Sequence, residues 1–196
     1  MGDAATSSRR PCPSPVRPAL ALSLALYGCN TIVISEYGSP IGIHRAKDGS
    51  VTLRDHRHKG VDFRAQDVGD PVLAAADGVV LGAQLDECAG VTVVIRHIDF
   101  ERSTLYTHLR ETYVQPGDLV ARGQHIGEVG LFECSGGIVH VHMELWLYGP
   151  QLHLARTKDT SELRGTIDPL PLSAGCFDPR RTYRTDQLVL TYPVDC

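Results

Sequence analysis

Three short segments of this chain carry side chains that could do chemistry. They place His58 four residues before Asp62, His108 in the middle of the chain, and His140 two residues before His142. Imidazole nitrogens and carboxylate oxygens are zinc ligands, and a catalytic zinc site uses three of them so that water can take the fourth position. Five such side chains in a chain of 196 residues therefore indicate a hydrolytic zinc site.

The pair His140 and His142 falls in a segment with alternating character. Across residues 138–148 the odd positions are apolar, whereas the even positions include both histidines, Glu144 and Trp146. A period of two is typical of a β-strand that buries one face. Residues two apart then project from the same face, about 7 Å apart along the strand, so both histidines can reach one cavity. One of them can bind the metal while the other contacts water there.

These residues belong to three motifs in a fixed order. His58-Lys-Gly-Val-Asp62 has the form His-x-Gly-x-Asp, His108 lies in Leu-Tyr-Thr-His-Leu, and the last motif reads His140-Val-His-Met-Glu144. With the glycine-containing turns between them, these motifs resemble the lysostaphin-type (LytM-type) zinc endopeptidases, which cut peptidoglycan cross-links. The resemblance covers roughly residues 34–170.

The resemblance implies a role for each of the five residues. It makes His58, Asp62 and His142 the ligands of one Zn²⁺ per chain, and it makes His108 and His140 the catalytic histidines. Zinc lowers the pKa of a bound water to about 7, and histidine exchanges protons near neutral pH. The implied activity is that of an exported zinc metalloendopeptidase, which hydrolyses peptide bonds in peptidoglycan stem or cross-link peptides.

A second function stays open beside the enzyme. Some relatives of this family have lost site residues and act as cell-wall binding or hydrolase-activating modules, and a regulatory protein partner is compatible with both functions. All five residues are present here, which favours the enzyme. Residues 131–137 replace a segment that is usually richer in threonine, serine and glycine, so the substrate peptide stays open.

Other side chains near the motifs have simpler interpretations. His97 lies outside the five motif positions, and we expect it to be a hydrogen-bonded structural residue. Glu144 is expected to support the metal site or its strand, and Tyr106 suits a substrate groove and a packing role equally. The remaining histidines are expected on the surface or in the scaffold: His44, His56, His125 and His153.

Composition agrees with a single all-β domain. The net charge of −4 gives no support for nucleic-acid binding. The 19 glycines and 12 prolines separate short hydrophobic runs, and no amphipathic helix of ten residues is apparent. The resemblance implies an antiparallel β-sheet or sandwich with long loops forming a groove. We expect the peptidase domain to span residues 30–170, followed by a C-terminal extension over residues 171–196.

The N-terminal residues 1–29 have the pattern of a signal peptide. Three arginines precede an apolar run over residues 19–27, which is shorter than the roughly 20 residues that span a bilayer. Leu26-Tyr-Gly-Cys29 resembles a bacterial lipobox, in which a lipid on Cys29 would attach the exported protein to a membrane. The expected location is the periplasm or cell envelope. A buried first strand, or cleavage elsewhere without lipidation, stays open.

The cysteines fit export. If Cys12 leaves with the signal and Cys29 carries lipid, four cysteines remain, and four allow three pairings. In the resembling fold, the loops that hold Cys88 and Cys134 both flank the active-site groove. We therefore expect one disulfide between these two cysteines and a second that pins the C-terminal tail: Cys176 with Cys196.

Overall fold

Short runs of β-branched and aromatic residues, separated by glycine and proline, form the strands of this protein. The computed structural model describes residues 32–40, 43–45, 51–53, 57–132, 135–147 and 165–196. The strands are β1 (Val33–Ser35), β2 (Ile43–Arg45), β3 (Val51–Leu53), β4 (Val61–Arg64), β5 (Pro71–Leu73), β6 (Gly78–Asp86), β7 (Gly90–His97), β8 (Arg102–Thr112), β9 (Leu119–Val120), β10 (His125–Val129), β11 (His140–Trp146) and β12 (Thr166–Ile167). The helices within the described residues are two short 3₁₀ turns, Ile98–Phe100 and Leu170–Leu172.

Most of these strands belong to one antiparallel sheet. Its main path runs β1-β4-β11-β8-β7-β6-β9. Strand β10 pairs with β5 and β8, and β12 pairs with β11, whereas β2 and β3 form a separate antiparallel pair. The predicted all-β antiparallel fold is confirmed. The groove expected between long loops stays a prediction, since residues 133–134 and 148–164 lie outside the described residues.

Strand β11 occupies a central position between β4 and β8. Its odd residues Val141, Met143 and Leu145 are at most 1% exposed and belong to the hydrophobic core. Its even residues project from the opposite face, because successive side chains of a strand alternate. The predicted alternation is confirmed over residues 140–146, and the core fixes which face of β11 is available for a site.

The C-terminal residues 171–196 pack against this sheet. The ring of Tyr192 lies 4.9 Å from the ring of Phe63 in β4, and a disulfide joins Cys176 to Cys196, as predicted. The tail also contributes buried residues to the core: Leu188, Leu190 and Val194. The expected division of the chain at residue 170 stays a prediction.

Several predictions for other regions fall outside the described residues. These include the signal peptide over residues 1–29, the lipid on Cys29, and Cys134, the expected partner of Cys88. Cys88 is disulfide-bonded, but its pairing with Cys134 stays a prediction. Among the described residues, none lies in a helix long and apolar enough to cross a bilayer.

Candidate metal centre

The pairing of β4 with β11 brings together residues that are 80 positions apart. Asp62 and His142 are directly opposite each other in the antiparallel register. Asp62 Oδ1 lies 2.9 Å from His142 Nδ1 and 3.0 Å from His58 Nε2, and the two nitrogens are 2.9 Å apart. The three predicted ligand atoms thus form a nearly equilateral triangle.

His58 reaches this triangle from the segment that precedes β4. Its main chain exchanges hydrogen bonds with residues 38 and 39. Its Nδ1 lies 3.0 Å from the Glu36 carbonyl oxygen and 3.0 Å from Ser35 Oγ. A carbonyl only accepts hydrogen bonds, so Nδ1 carries the proton and Nε2 keeps the lone pair that faces Asp62.

Gly60 allows His58 and β4 to approach β11 this closely. A Cβ atom at this position would clash with the Met143 carbonyl oxygen and would lie 2.9 Å from His142 Cε1. The glycine of the His-x-Gly-x-Asp motif is therefore explained by close packing of main chain against the site.

The three donors suit a zinc ion. With zinc–ligand bonds of about 2.0 to 2.1 Å, the ligand atoms of a tetrahedral site are about 3.3 Å apart. The observed separations of 2.9 to 3.0 Å require an expansion of only a few tenths of an ångström. Two imidazoles and one carboxylate are also a donor set that zinc accepts. His58, Asp62 and His142 would hold the metal.

His108 enters the site from β8 through an irregularity in the strand. Its φ of 71° is left-handed, which is uncommon outside glycine. The β7–β8 register shifts between the pairs Val91–Leu109 and Val93–Tyr106, as expected for a β-bulge, which can redirect a side chain. The His108 ring lies 4.7 Å from the His140 ring and 6.3 Å from the His142 ring, measured between centroids.

The two histidines outside the triangle are held in the same way. His140 Nδ1 donates to the Ile138 carbonyl oxygen at 2.9 Å, and His108 Nδ1 donates to the Ala89 carbonyl oxygen at 3.0 Å. Both rings therefore keep an unprotonated Nε2. That of His140 lies 3.7 Å from Asp62 Oδ1, so it faces the metal position.

The pKa shifts separate these residues into two groups. The charged forms of Asp62 and His142 are favoured, whereas the neutral forms of His108 and His140 are favoured. Burial by itself would raise the pKa of Asp62, but the adjacent imidazoles of His142 and His58 outweigh burial and hold this pKa well below its usual range. Burial would lower the pKa of His142, but hydrogen bonds to Asp62 and Glu144 raise it to about 9. The pKa of His108 is lowered to about 3 by burial and by repulsion from His140 and His142. Burial also lowers the pKa of His140.

Glu144 supports the site from the same face of β11. Its Oε1 accepts a hydrogen bond from His142 Nε2 at 3.1 Å, and its Oε2 accepts one from Trp146 Nε1 at 2.6 Å. The sequence pattern already placed all three residues on one strand face. The hydrogen bond from Trp146 was not anticipated.

The remaining predictions near the site have clear outcomes. His97 is buried, with Nδ1 2.7 Å from the Asp77 carbonyl oxygen and Nε2 2.9 Å from Thr104 Oγ1, so its structural role is supported. Tyr106 is fully buried and its hydroxyl bonds to Thr104 and to the Ala75 N–H, which makes it a packing residue. His125 is exposed.

The antiparallel sheet and its histidine–aspartate cluster define a protein of the metallopeptidase class. Residues 56–154, half of the chain, match the model of peptidase family M23. The chain belongs to this family.

Three similar proteins illustrate the relationship. Peptidoglycan DD-endopeptidase ShyA of Vibrio cholerae is 40% identical over 101 residues, which are 50% of this chain and 22% of that protein. Stage II sporulation protein Q of Bacillus subtilis is 38% identical over 123 residues, 59% of this chain and 42% of that protein. The catalytic domain of the antimicrobial peptidase lysostaphin from Staphylococcus simulans superposes with a TM-score of 0.52 at 25% identity, covering 71% of this chain and 89% of that domain. This chain spans less than half the length of either curated relative.

Proposed function

We propose that this protein is an exported, zinc-dependent endopeptidase that hydrolyses peptide bonds in peptidoglycan stem or cross-link peptides. The observation that carries the proposal is the convergence of His58, Asp62 and His142 beside two histidines that each keep an unprotonated Nε2. Membership of family M23 and the similarity to a peptidoglycan DD-endopeptidase support the choice of substrate.

The ligand residues and the two other histidines have different roles in the proposed reaction. Zinc, when bound by His58, Asp62 and His142, supplies a Lewis acid that polarises the scissile carbonyl and activates water. His108 Nε2 and His140 Nε2 can orient the water and accept its proton. The protonated imidazole then returns the proton to the nitrogen of the breaking C–N bond, so the amine leaves in neutral form. While it holds that proton, the imidazolium can donate a hydrogen bond from Nε2 to the oxyanion.

The low pKa of His108 suits a ring that accepts a hydrogen bond from water. At about 3, the ring is neutral at physiological pH, and its Nε2 is available as an acceptor. The Nδ1 hydrogen bond to Ala89 keeps the same ring nitrogen directed toward the site throughout.

Export forms part of the proposal because peptidoglycan lies outside the cytoplasmic membrane. The disulfide between Cys176 and Cys196 supports it, since such bonds persist in oxidising compartments. The lipid on Cys29, the signal peptide, one zinc per chain and a regulatory partner are further parts of the proposal.

The test is turnover of purified peptidoglycan, with zinc content measured on the same sample and muropeptides identified by mass spectrometry. New peptide ends with about one zinc per chain would identify a peptidase and name its bond. Zinc without cleavage would contradict the enzyme and favour the cell-wall binding or hydrolase-activating module. A chain without zinc would contradict the enzyme and the assignment of His58, Asp62 and His142 as zinc ligands.

A further inference from the structure

We propose that Glu144, anchored by Trp146, is a positioning residue that sets the zinc affinity of His142. This inference rests on the zinc site proposed above. Alternation along β11 places His142, Glu144 and Trp146 on one face of the strand. One carboxylate oxygen of Glu144 accepts a hydrogen bond from His142 at 3.1 Å, and the other accepts one from Trp146 at 2.6 Å. The carboxylate therefore links the metal site to the far end of the strand.

His142 is held differently from the other three histidines of the cluster. Each of the others directs Nδ1 to a main-chain carbonyl and turns Nε2 inward: His58, His108 and His140. His142 directs Nε2 outward to a carboxylate and turns Nδ1 inward. A carboxylate attracts the ring proton more strongly than a neutral carbonyl does, which fixes the tautomer and raises the basicity of the ligating nitrogen. Of the two imidazole ligands, His142 would therefore donate its electron pair to zinc more strongly than His58.

Trp146 keeps the carboxylate in the orientation that His142 requires. The Glu144 side chain is 13% exposed, so few water molecules compete with its two hydrogen bonds. Trp146 is itself confined, because it is opposite Thr166 in the β11–β12 pair and its ring leaves little space at Gly165. A carboxylate bound at both oxygens cannot rotate away from His142 without breaking the bond to Trp146.

A purely structural role for Glu144 and Trp146 makes a different prediction. If the two residues only secured the end of the sheet, their replacement would lower the stability of the metal-free protein and leave zinc affinity unchanged in the folded fraction. A positioning role lowers zinc affinity by more than any change in metal-free stability explains. Both the zinc affinity and the stability of the metal-free protein must therefore be measured.

The experiment measures the zinc dissociation constant by competition with a chromogenic chelator, and the free energy of unfolding of the metal-free protein by urea titration. Glu144→Gln keeps the size and an acceptor oxygen but removes the charge, so zinc should bind about 10 to 100 times more weakly. Trp146→Phe keeps an aromatic ring but removes the donor, and we expect a smaller loss of a few fold. Glu111→Gln, an exposed carboxylate on β8, is the matched control and should match the wild type.

The double variant, Glu144→Gln with Trp146→Phe, shows whether Trp146 affects zinc affinity through Glu144 or independently of it. If Trp146 acts through Glu144, the double variant should bind zinc no more weakly than Glu144→Gln alone. A folded Glu144→Gln protein with zinc affinity within twofold of the wild type overturns the proposal. If that variant does not fold, Trp146→Phe carries the test, and unchanged affinity overturns the proposal. A wild type that binds zinc but cuts no peptidoglycan contradicts the proposed function alone, because this assay contains no substrate.

Discussion

At the scale of single residues, the site depends on which nitrogen each imidazole turns inward. His58, His108 and His140 each donate Nδ1–H to a main-chain carbonyl, so their Nε2 lone pairs are set by the backbone. Only one of these three lies within the ligand triangle, together with Asp62 and His142. In the proposed function, the same residue type would serve two purposes, as a metal ligand and as a group that exchanges protons.

Replacement of the two histidines of the last motif should separate these purposes. His142→Ala removes one of three ligands and should abolish stoichiometric zinc binding. His140→Ala should keep about one zinc per chain but lower peptidoglycan turnover by 10²-fold or more, a typical contribution of general acid–base catalysis. Zinc content and turnover are measured on the same samples. Wild-type zinc content with full activity in His142→Ala would contradict the assignment.

The stability of the metal-free protein should decrease in acid, in part because of His108. Its pKa is about 3 in the folded protein, whereas an unperturbed histidine titrates near 6.5. Between these values the unfolded chain binds a proton that the native chain does not. The free energy of unfolding therefore falls as pH falls through this window, by at most about 1.4 kcal/mol per pH unit from this residue. Urea titrations of EDTA-treated protein between pH 7 and pH 5 measure the slope.

His108→Asn tests the origin of this slope. Asparagine does not titrate, and it tolerates positive φ better than most residues, so the variant should lose less stability on acidification. His125→Asn removes an exposed histidine and should keep the wild-type slope. Equal slopes for all three proteins would show that His108 is not held neutral by the fold.

At the scale of elements, the site is a product of strand register. The β4–β11 pairing sets Asp62 opposite His142, and the β-bulge in β8 turns His108 toward them. A shift of β11 by one residue would move both of its histidines to the core face. The buried residues Val141 and Met143 prevent such a shift, because they would then face solvent.

Gly60→Ala should disrupt this arrangement through close contact alone. The added methyl group would meet the Met143 carbonyl and His142, and overpacking of this kind costs about 1 to 3 kcal/mol. We expect zinc affinity to fall together with the free energy of unfolding. Chelator competition and urea titration measure the two quantities.

Gly117→Ala is the control for a glycine effect unrelated to the site. Its φ of 96° disfavours any side chain, but a Cβ there meets nothing within 4 Å. This variant should lose about 1 kcal/mol of stability and keep its zinc affinity. Unchanged zinc affinity in Gly60→Ala would contradict the role of this close approach.

At the scale of the whole molecule, the C-terminal tail supports the strand that carries Asp62. Tyr192 packs on Phe63, the neighbour of Asp62, and the disulfide between Cys176 and Cys196 closes the tail on itself. Phe63 is fully buried. The tail therefore belongs to the packing that keeps β4 in register with β11.

Replacing Cys176 and Cys196 together with serine should weaken the fold and leave the site chemistry unchanged. A disulfide with a sequence separation of 20 restricts the unfolded chain by about 3 kcal/mol. We expect a decrease of that order in the free energy of unfolding, with wild-type zinc affinity in the folded protein. In reductant, the wild type and the variant should become similar. A stability unchanged from the oxidised wild type would contradict this prediction.

Much of the site could be predicted because its information is local in the sequence. The alternation over residues 138–148 reports burial of one strand face, and it correctly indicated the shared face of His140 and His142. The ligand types and the glycine of the His58–Asp62 motif indicated a metal site, since zinc accepts few donor sets. These signals need only the order of residues along one strand or one turn.

Other properties were decided only by the tertiary structure, because they depend on contacts between distant segments. The nitrogen that His108 presents is set by the Ala89 carbonyl, 19 residues away, and the bulge at His108 arises from its pairing with β7. Tyr106 suited a groove and a core equally until the sheet buried it. The role of the C-terminal residues 171–196 in packing could not be predicted, because hydrophobic residues near Tyr192 do not specify which strand they will cover. Sequence thus determined the chemistry that is available, whereas register and packing determined which atoms face one another.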